Sequence, residues 1–548
     1  MCFEELDIDL LIVGGGSAGT MAAIRAKEIN PDCNVVIVEK AHIKRSGSIT
    51  MGMDALNVMI LPEKQTPREY AAVARDTCQG IADFGPSYTL AERSFDLLKK
   101  LENWGVFFPK DTCGDYQMLR IHMRGKFGVA MDEPDLKVML WKRVGESGVV
   151  TYHRTTAVAL LVEDEIVKGA VCLDLRTGKL RVVHAKTVIL ANGGAGRFGL
   201  PSSGYLFGTY DYPGNAGDAY SLAFQAGAKL TGMEYTASNT LIKDSNLPLL
   251  YITLTRGARL VNGFGEVLGE GAAHLKAEER IAELQRAGPL FIRMDHLPEE
   301  KIQEIEHVLF TTERPMQRRF WQQRKINFRT DPLELALTEI QLCGGHGISG
   351  MVVNRKAETT LDGLYAAGDA AAVPMQHLTG AFVFGQVAAE SALGYMENKV
   401  FHKCRNNRLV KKTQADLDAF RDNSLAQVSP HDFEYKVRRT INEYVASPKN
   451  HYRLNRAMEL MQGFHQELAS KLIVNSTHDL GRAIEIRSII ECAYLSAAAS
   501  NARQESRWGD RHKRTDFPDC DDVNWLKHID VCRDKAFPSL KISFRAVE

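Results

Sequence analysis

No two cysteines in this 548-residue sequence stand in a CxxC spacing. The ten cysteines, at 2, 33, 78, 113, 172, 343, 404, 492, 520 and 532, are scattered. That argues against an iron–sulfur cluster or a structural zinc site within the chain, and free thiols are expected instead. No run of eighteen apolar residues occurs, so no membrane-crossing helix is expected, and the apolar run at 10–13 is far too short. The first ten residues lack a basic stretch and a cleavage site, so they do not read as a secretion signal. A cytoplasmic protein is expected. Net charge is also absent, with 68 basic side chains against 68 acidic ones. That removes the motive for a nucleic-acid or other polyanionic partner. Neither internal repeats nor low-complexity segments are found.

What is present is an ordinary globular composition, 45% hydrophobic and 25% charged. At this length one core does not organise the whole chain, and two to four domains are expected. Residues 7–13 read as a buried strand ended by glycines, 17–29 as a helix and 34–38 as a second buried strand. This β-α-β unit opens an α/β domain. Between strand and helix lies Gly14-Gly15-Gly16-Ser17-Ala18-Gly19, which fits GxGxxG. Gly14 permits the tight turn, Gly16 lets the backbone approach a pyrophosphate, and Gly19 lets helix and strand pack closely. The free N–H groups of the helix N-terminus then face the phosphates. Glu39 closes the second strand twenty residues after Gly19, where a carboxylate can accept from ribose hydroxyls.

This half-motif fits either a nicotinamide or a flavin dinucleotide. Two later segments decide between them. A strand at 181–191 ends in Asn192-Gly193-Gly194, and a short strand at 364–367 delivers Gly368 for close approach and Asp369 to a cofactor hydroxyl. An extended flavin dinucleotide needs that distant second strand, and a nicotinamide does not. Elsewhere, 156–170 alternates like a strand pair with a hairpin at 163–165. Between about 245 and 345 the texture is mixed, with charged helical stretches at 276–286 and 299–308. From 401 on the pattern is helical, and in 482–503 it places Ala483, Ile486, Ile490, Ala493 and Ala497 on one stripe. The expected architecture is a Rossmann-like FAD-binding domain in two parts, 1–244 and 346–400, an inserted α+β capping domain at 245–345, and a helical C-terminal domain at 401–548.

Together, the GxGxxG turn with Glu39, the Ala-Asn-Gly-Gly turn, the Gly-Leu-Tyr-Ala-Ala-Gly-Asp strand and the arginine-rich run from Gln504 to His528 resemble the fumarate reductase/succinate dehydrogenase flavoprotein superfamily. Within it the look is that of the adenylylsulfate (APS) reductase alpha subunit, through Arg45-Ser46-Gly47 leading to Ala55-Leu56-Asn57, and through Gly344-Gly-His-Gly-Ile-Ser-Gly350 and Leu378-Thr-Gly-Ala-Phe382. The resemblance implies FAD as cofactor and a ferredoxin-like iron–sulfur subunit as electron partner, and the cysteine spacing leaves no metal expected in the chain. Assembly with copies of itself or with other chains is compatible with it. The respiratory enzymes bind flavin covalently through a histidine after the Arg-Ser pair, and here that place is Gly47, which implies noncovalent FAD. Lys40, Ala157, Asp218, Thr379 and Ala381 join the cofactor candidates named above.

For catalysis the resemblance points to Arg256 as a proton donor, with Arg259 nearby, to His346 as a substrate-binding histidine, and to Asn57 near the flavin's reactive face. Three family features are replaced. Gln376-His-Leu-Thr-Gly380 lacks the arginine of the dicarboxylate enzymes. Leu241 and Gly214 stand where the APS reductases carry an arginine and a stacking tryptophan. Three readings follow: a redox enzyme for another small, anionic substrate fed by a separate electron partner, a genuine fumarate/succinate-type or APS-type enzyme, or a noncatalytic flavoprotein that relays electrons.

Overall fold

The computed structural model describes residues 4–119, 125–202, 211–243, 245, 249–270, 275, 277–313, 317–342, 344–397, 399, 401, 403–404, 407–421 and 426–548. At its centre is strand β1 (Glu4–Val13), whose last four residues are fully buried. Such a run, apolar on both faces, is what a parallel sheet covered by helices requires. β1 is followed by helix α1 (Ser17–Ile29) and strand β2 (Val35–Glu39), the β-α-β unit expected from the sequence. On one side β1 pairs in parallel with β2, Ile12 opposite Ile37, and on the other with the strand Leu180–Leu190, Ile12 opposite Ile189. The latter strand is long enough to serve two neighbours. Its first half pairs antiparallel with Ile166–Asp174, and its second half pairs in parallel with Leu364–Ala366. The strand expected near 364 thus delivers Gly368 and Asp369 beside the end of β1.

The strands Thr155–Glu163 and Ile166–Asp174 form the expected hairpin. Asp164 and Glu165 both have positive φ, 53° and 60°, the backbone of a two-residue turn matched to strand twist.

Residues 240–337 carry a separate five-stranded sheet and their own core, with Leu260, Ile292, Ile305, Trp321 and Leu335 among its members. The helices Pro430–Tyr444, His451–Lys471 and Thr477–Ala502 follow later in the chain. In the last of these Ala483, Ile486, Ile490, Ala493 and Ala497 are all fully buried, but so are Ile489, Cys492, Leu495 and Ala499. It is a core helix, and the stripe expected from the sequence is one part of its buried surface. The helical reading of the C-terminus also stops early. Lys527–Arg533 and Leu540–Ala546 pair antiparallel and join Leu230–Thr231 and Gly350–Met351 in a four-stranded sheet. The period-two alternation of Leu540, Ile542, Phe544 and Ala546 is the local cause. Among the described residues no helix is long and apolar enough to cross a membrane.

Candidate functional site

The glycine turn after β1 is shaped by contacts that leave no room for side chains. A Cβ on Gly14, whose φ is +99°, would lie 2.6 Å from the Ala191 carbonyl oxygen, and one on Gly19 only 1.9 Å from the Gly14 oxygen. Gly16 differs. Its φ of −71° suits any residue, and a Cβ there would meet only Gly47 Cα, at 3.9 Å. Gly16 therefore borders open space, an elongated cavity between the glycine turn, the 47–57 loop and the ends of the sheet strands.

Two groups of residues line that cavity. The first surrounds Glu39, Lys40, Ala157 and Asp218. The Glu39 carboxylate accepts from the amides of Gly15 and Ala41, each at 2.7 Å, which fixes it with acceptor capacity to spare. Lys40 Nζ lies 2.6 Å from Asp218 and 2.8 Å from Glu485. Burial works against the Lys40 ammonium, yet these two carboxylates raise its pKa above the usual lysine range. Glu485 is held low in turn; burial opposes its charge, and Arg197, Lys40 and Arg482 overcome that. This buried ion network ties the cavity wall to the C-terminal helices.

The second group contains Met53, Asp54, Asn57, His346, Asp369, His377 and Ala381. The rings of His346 and His377 meet edge to face at 4.9 Å. His377 has φ 47°, a strained backbone of the kind that clusters at functional sites, and it opens the helix His377–Glu397. Asp369 and Asp211 share the same wall. Burial first, and the neighbouring Asp211 charge second, push Asp369 up to about 7, and a hydrogen bond from the Gly345 backbone pulls it back in part.

Of the residues named from the sequence, Gly14, Gly16, Ser17, Ala18, Glu39, Lys40, Gly47, Asn57, Ala157, Asn192, Gly193, Asp218, His346, Gly368, Asp369 and Ala381 line this one cavity. Gly19, Ser46, Gly194 and Thr379 lie behind the wall. Ser46 and Thr379 are buried, Thr379 Oγ1 accepts from the Val58 amide at 3.4 Å, and the Gly194 carbonyl accepts from Gly217. Arg45 is exposed. Arg256 is not among the residues that line the cavity. It sits in the insert, its Nε 2.9 Å from Glu304 and its Nη1 donating to the Ile252 carbonyl at 3.0 Å. Arg259 lies in the strand Arg259–Val261, opposite Arg293. The insert touches the cavity wall elsewhere, where the Thr312 carbonyl accepts from the Met53 amide at 3.1 Å.

Sequence reasoning missed four groups. His377 was present in a segment read only for its missing arginine. Asp211 and Lys137 belong to no motif, and Arg511 lies in the arginine-rich run from Gln504 to His528 without being singled out there. Arg511 stacks over the Trp508 ring at 4.2 Å, and its charge reaches His346. Burial first and Arg511 second push the His346 pKa down to about 4. The folded value lies below that of a free histidine, so between about pH 6.5 and 4 the unfolded chain binds more protons than the folded one. Stability from the neutral ring is complete above that window and is lost as pH falls through it. The loss should reach about 2 kcal/mol by pH 5. Melting temperatures at pH 7 and pH 5 should differ more in the wild type than in His346→Gln.

The cavity fits an extended, polar dinucleotide. Asn57 Oδ1, Asn192 Oδ1 and Asp218 Oδ1 all belong to residues of its wall, are buried, and find no hydrogen-bond partner among the described residues. Buried polar atoms are seldom left so, and a ligand rich in donors would meet them. Gly16 adds an open cradle beside the helix N-terminus, where a diphosphate is favoured.

Comparison with known proteins agrees. A family model described as "FAD binding domain" matches residues 9–381, and one described as "Fumarate reductase flavoprotein C-term" matches residues 434–548. An uncharacterized FAD-dependent oxidoreductase of Methanocaldococcus jannaschii is 24% identical over 93% of this chain and 94% of its own. The fumarate reductase flavoprotein subunit of Mycobacterium tuberculosis is 24% identical over 96% of this chain and 95% of its own. The fold is shared with adenylylsulfate reductase from Archaeoglobus fulgidus, with a TM-score of 0.88 at 23% identity, covering 100% of this chain and 97% of that one. The chain thus belongs to the fumarate reductase/succinate dehydrogenase flavoprotein family of FAD-dependent oxidoreductases, and its cofactor is FAD.

Proposed function

We propose that this enzyme exchanges hydride between noncovalently held FAD and a small substrate carrying a single anionic group, and that a separate iron–sulfur subunit exchanges electrons with it. The observation that carries the reading is the pairing of His346 with His377 in the cavity wall, with Asn57 in the same wall and Arg511 as the charge behind His346. FAD, when bound, supplies the hydride chemistry. Glu39, Asn192, Asp218 and Asp369 would hold it, and Gly47 offers no side chain for a covalent link.

The substrate reading follows from what the histidines can do. Alone, His346 is neutral at pH 7 and gives up a proton poorly. An anion placed against it opposes the Arg511 charge and favours its protonated form, so substrate and proton enter together. The protonated ring can then hydrogen-bond the anion and give a proton to the carbon next to the one that accepts hydride. Among the described residues Arg511 is the arginine whose charge acts on His346, and Arg256 is paired with Glu304, which suits a monoanion better than a dianion. The separate electron partner is supported by the Mycobacterium tuberculosis relative, by its name one subunit of a larger assembly.

The test is an anaerobic panel. Protein reduced with dithionite is mixed with α,β-unsaturated monocarboxylates, with fumarate and with adenylylsulfate, and flavin absorbance is followed. A monocarboxylate should reoxidise the flavin at least about tenfold faster than either of the other two. Acid precipitation of the same sample should leave free FAD in the supernatant. Efficient turnover of fumarate or adenylylsulfate, or silence toward every monoanion, would sink the substrate reading.

A further inference from the structure

Lys137 lies in the first turn of the helix Leu136–Glu146, and only 5% of its surface is exposed. Both facts work against an ammonium. Burial penalises the charge, and a helix N-terminus already carries partial positive charge. The same helix buries Leu136, Leu140 and Val144, so an apolar residue at 137 would suit its neighbours and lose only the bond described next.

The compensation on hand is incomplete. Lys137 Nζ donates to the carbonyl of Gly15, in the glycine turn. Glu39 is the charge that favours its protonation, and that carboxylate already serves the amides of Gly15 and Ala41. Of the other charges on the elements packed here, Arg45 is exposed and several more have partners elsewhere. Arg25 of α1 is tied to Glu390 and Glu28, Lys27 to the Pro31 carbonyl, and Lys44 lies over the Trp141 ring. Lys40 makes the contrast. It is less withdrawn, its side chain 23% exposed on the cavity wall, and two carboxylates hold it charged. Lys137 has one, and burial pushes it down to about 8, with Glu39 offsetting only part of the loss.

We infer that Lys137 is a cofactor-positioning residue. Its ammonium pins the Gly15 carbonyl away from the cavity and supplies positive charge under the glycine turn, balanced when the FAD diphosphate binds. Gly15 is then held from both sides, its carbonyl by Lys137 and its amide by Glu39. This arrangement fixes the direction in which the following amides face the cavity. The inference rests on FAD as cofactor and is independent of the substrate reading.

It has a signature that a merely structural lysine lacks. Removing a poorly compensated buried charge should leave the cofactor-free protein as stable as before or more so, while weakening FAD. Binding of the diphosphate should also favour the ammonium, so affinity should fall as pH rises above about 8.

The experiment uses full-length protein, stripped of flavin and titrated with FAD, as wild type and as Lys137→Met and Lys137→Arg. At pH 7, Lys137→Met should bind FAD about tenfold or more weakly, with an unchanged or higher melting temperature in the cofactor-free form. The wild type should lose roughly tenfold in affinity between pH 8 and 9.5, and Lys137→Met much less. Lys137→Arg, which stays charged throughout, should bind FAD without that loss above pH 8. If Lys137→Met does not accumulate folded, the comparison of wild type with Lys137→Arg across pH decides. FAD affinity within twofold of wild type in Lys137→Met, or an equal pH dependence in wild type and the variant that folds, would overturn the assignment.

Discussion

Gly16→Val should give a folded, colourless protein. The Gly16 backbone suits any residue, and a Cβ built there meets nothing closer than 3.9 Å. A Cβ at this position therefore clears the protein. The valine branches enter the cavity beside the first amides of α1, where the diphosphate must pass to reach the helix N-terminus. FAD affinity should drop by at least about a hundredfold, roughly 2.7 kcal/mol. The stabilisation that FAD lends by mass action should vanish with it. Gly19→Val makes the control. Its Cβ would lie 1.9 Å from the Gly14 oxygen, a contact that only displacement of β1 from α1 can relieve. That variant should lose its fold. The ratio of flavin to protein absorbance after gel filtration, with circular dichroism and thermal melting of the flavin-free samples, separates the two outcomes. A yellow Gly16→Val protein would mean that the dinucleotide does not cross this turn.

The contrast between these two glycines marks how far sequence reasoning reaches. The β1–α1–β2 unit was legible because its determinants are local: an apolar run, a glycine spacing, and a carboxylate at the end of the next strand. Gly368 and Asp369 were legible for the same reason, although over three hundred residues separate them from Gly14. The spacing assigned Gly16 to the cofactor and Gly19 to helix–strand packing, but it could not name the partners from other segments, Ala191 against Gly14 and Gly47 beside Gly16. Arg256 shows a similar limit. Its segment resembles a proton-donor motif, but its partner Glu304 lies 48 residues further on, and that pairing turns the guanidinium into the insert. His377 and Lys137 left no local signal at all. One is a lone histidine where an arginine was sought, and the other a lysine in an ordinary helical stretch. Only the fold shows that the first meets His346 and the second meets Gly15. The C-terminal hairpin was obscured by the long helices before it, although residues 540–546 alternate plainly once read alone.

The second large effect is expected at His346. His346→Gln and His377→Gln should both keep FAD, because neither side chain belongs to the dinucleotide turn or to the Glu39–Lys40 group. Each should lower turnover of the substrate found by the anaerobic panel by roughly a hundredfold, the scale of losing one acid–base or electrostatic group. The pH profile tells a reacting histidine from a merely supporting one. In the direction that consumes a proton, kcat/KM reports the protonation state of the free enzyme. His346 in the free enzyme is pushed down to about 4, so its protonated fraction falls tenfold for each unit of pH above that value. If the proton comes from this ring, kcat/KM should fall about tenfold per unit between pH 5.5 and 7.5, and His346→Gln should abolish the slope. Arg511→Gln should move the profile toward higher pH. Burial, the larger cause, keeps the ring's pKa low, but the opposing guanidinium charge is gone. The same variant should raise KM for a monoanion, since the arginine behind the histidines no longer offsets the substrate's charge. A flat wild-type profile would assign the proton to another group. Full activity in both histidine variants would remove the pocket from the chemistry altogether.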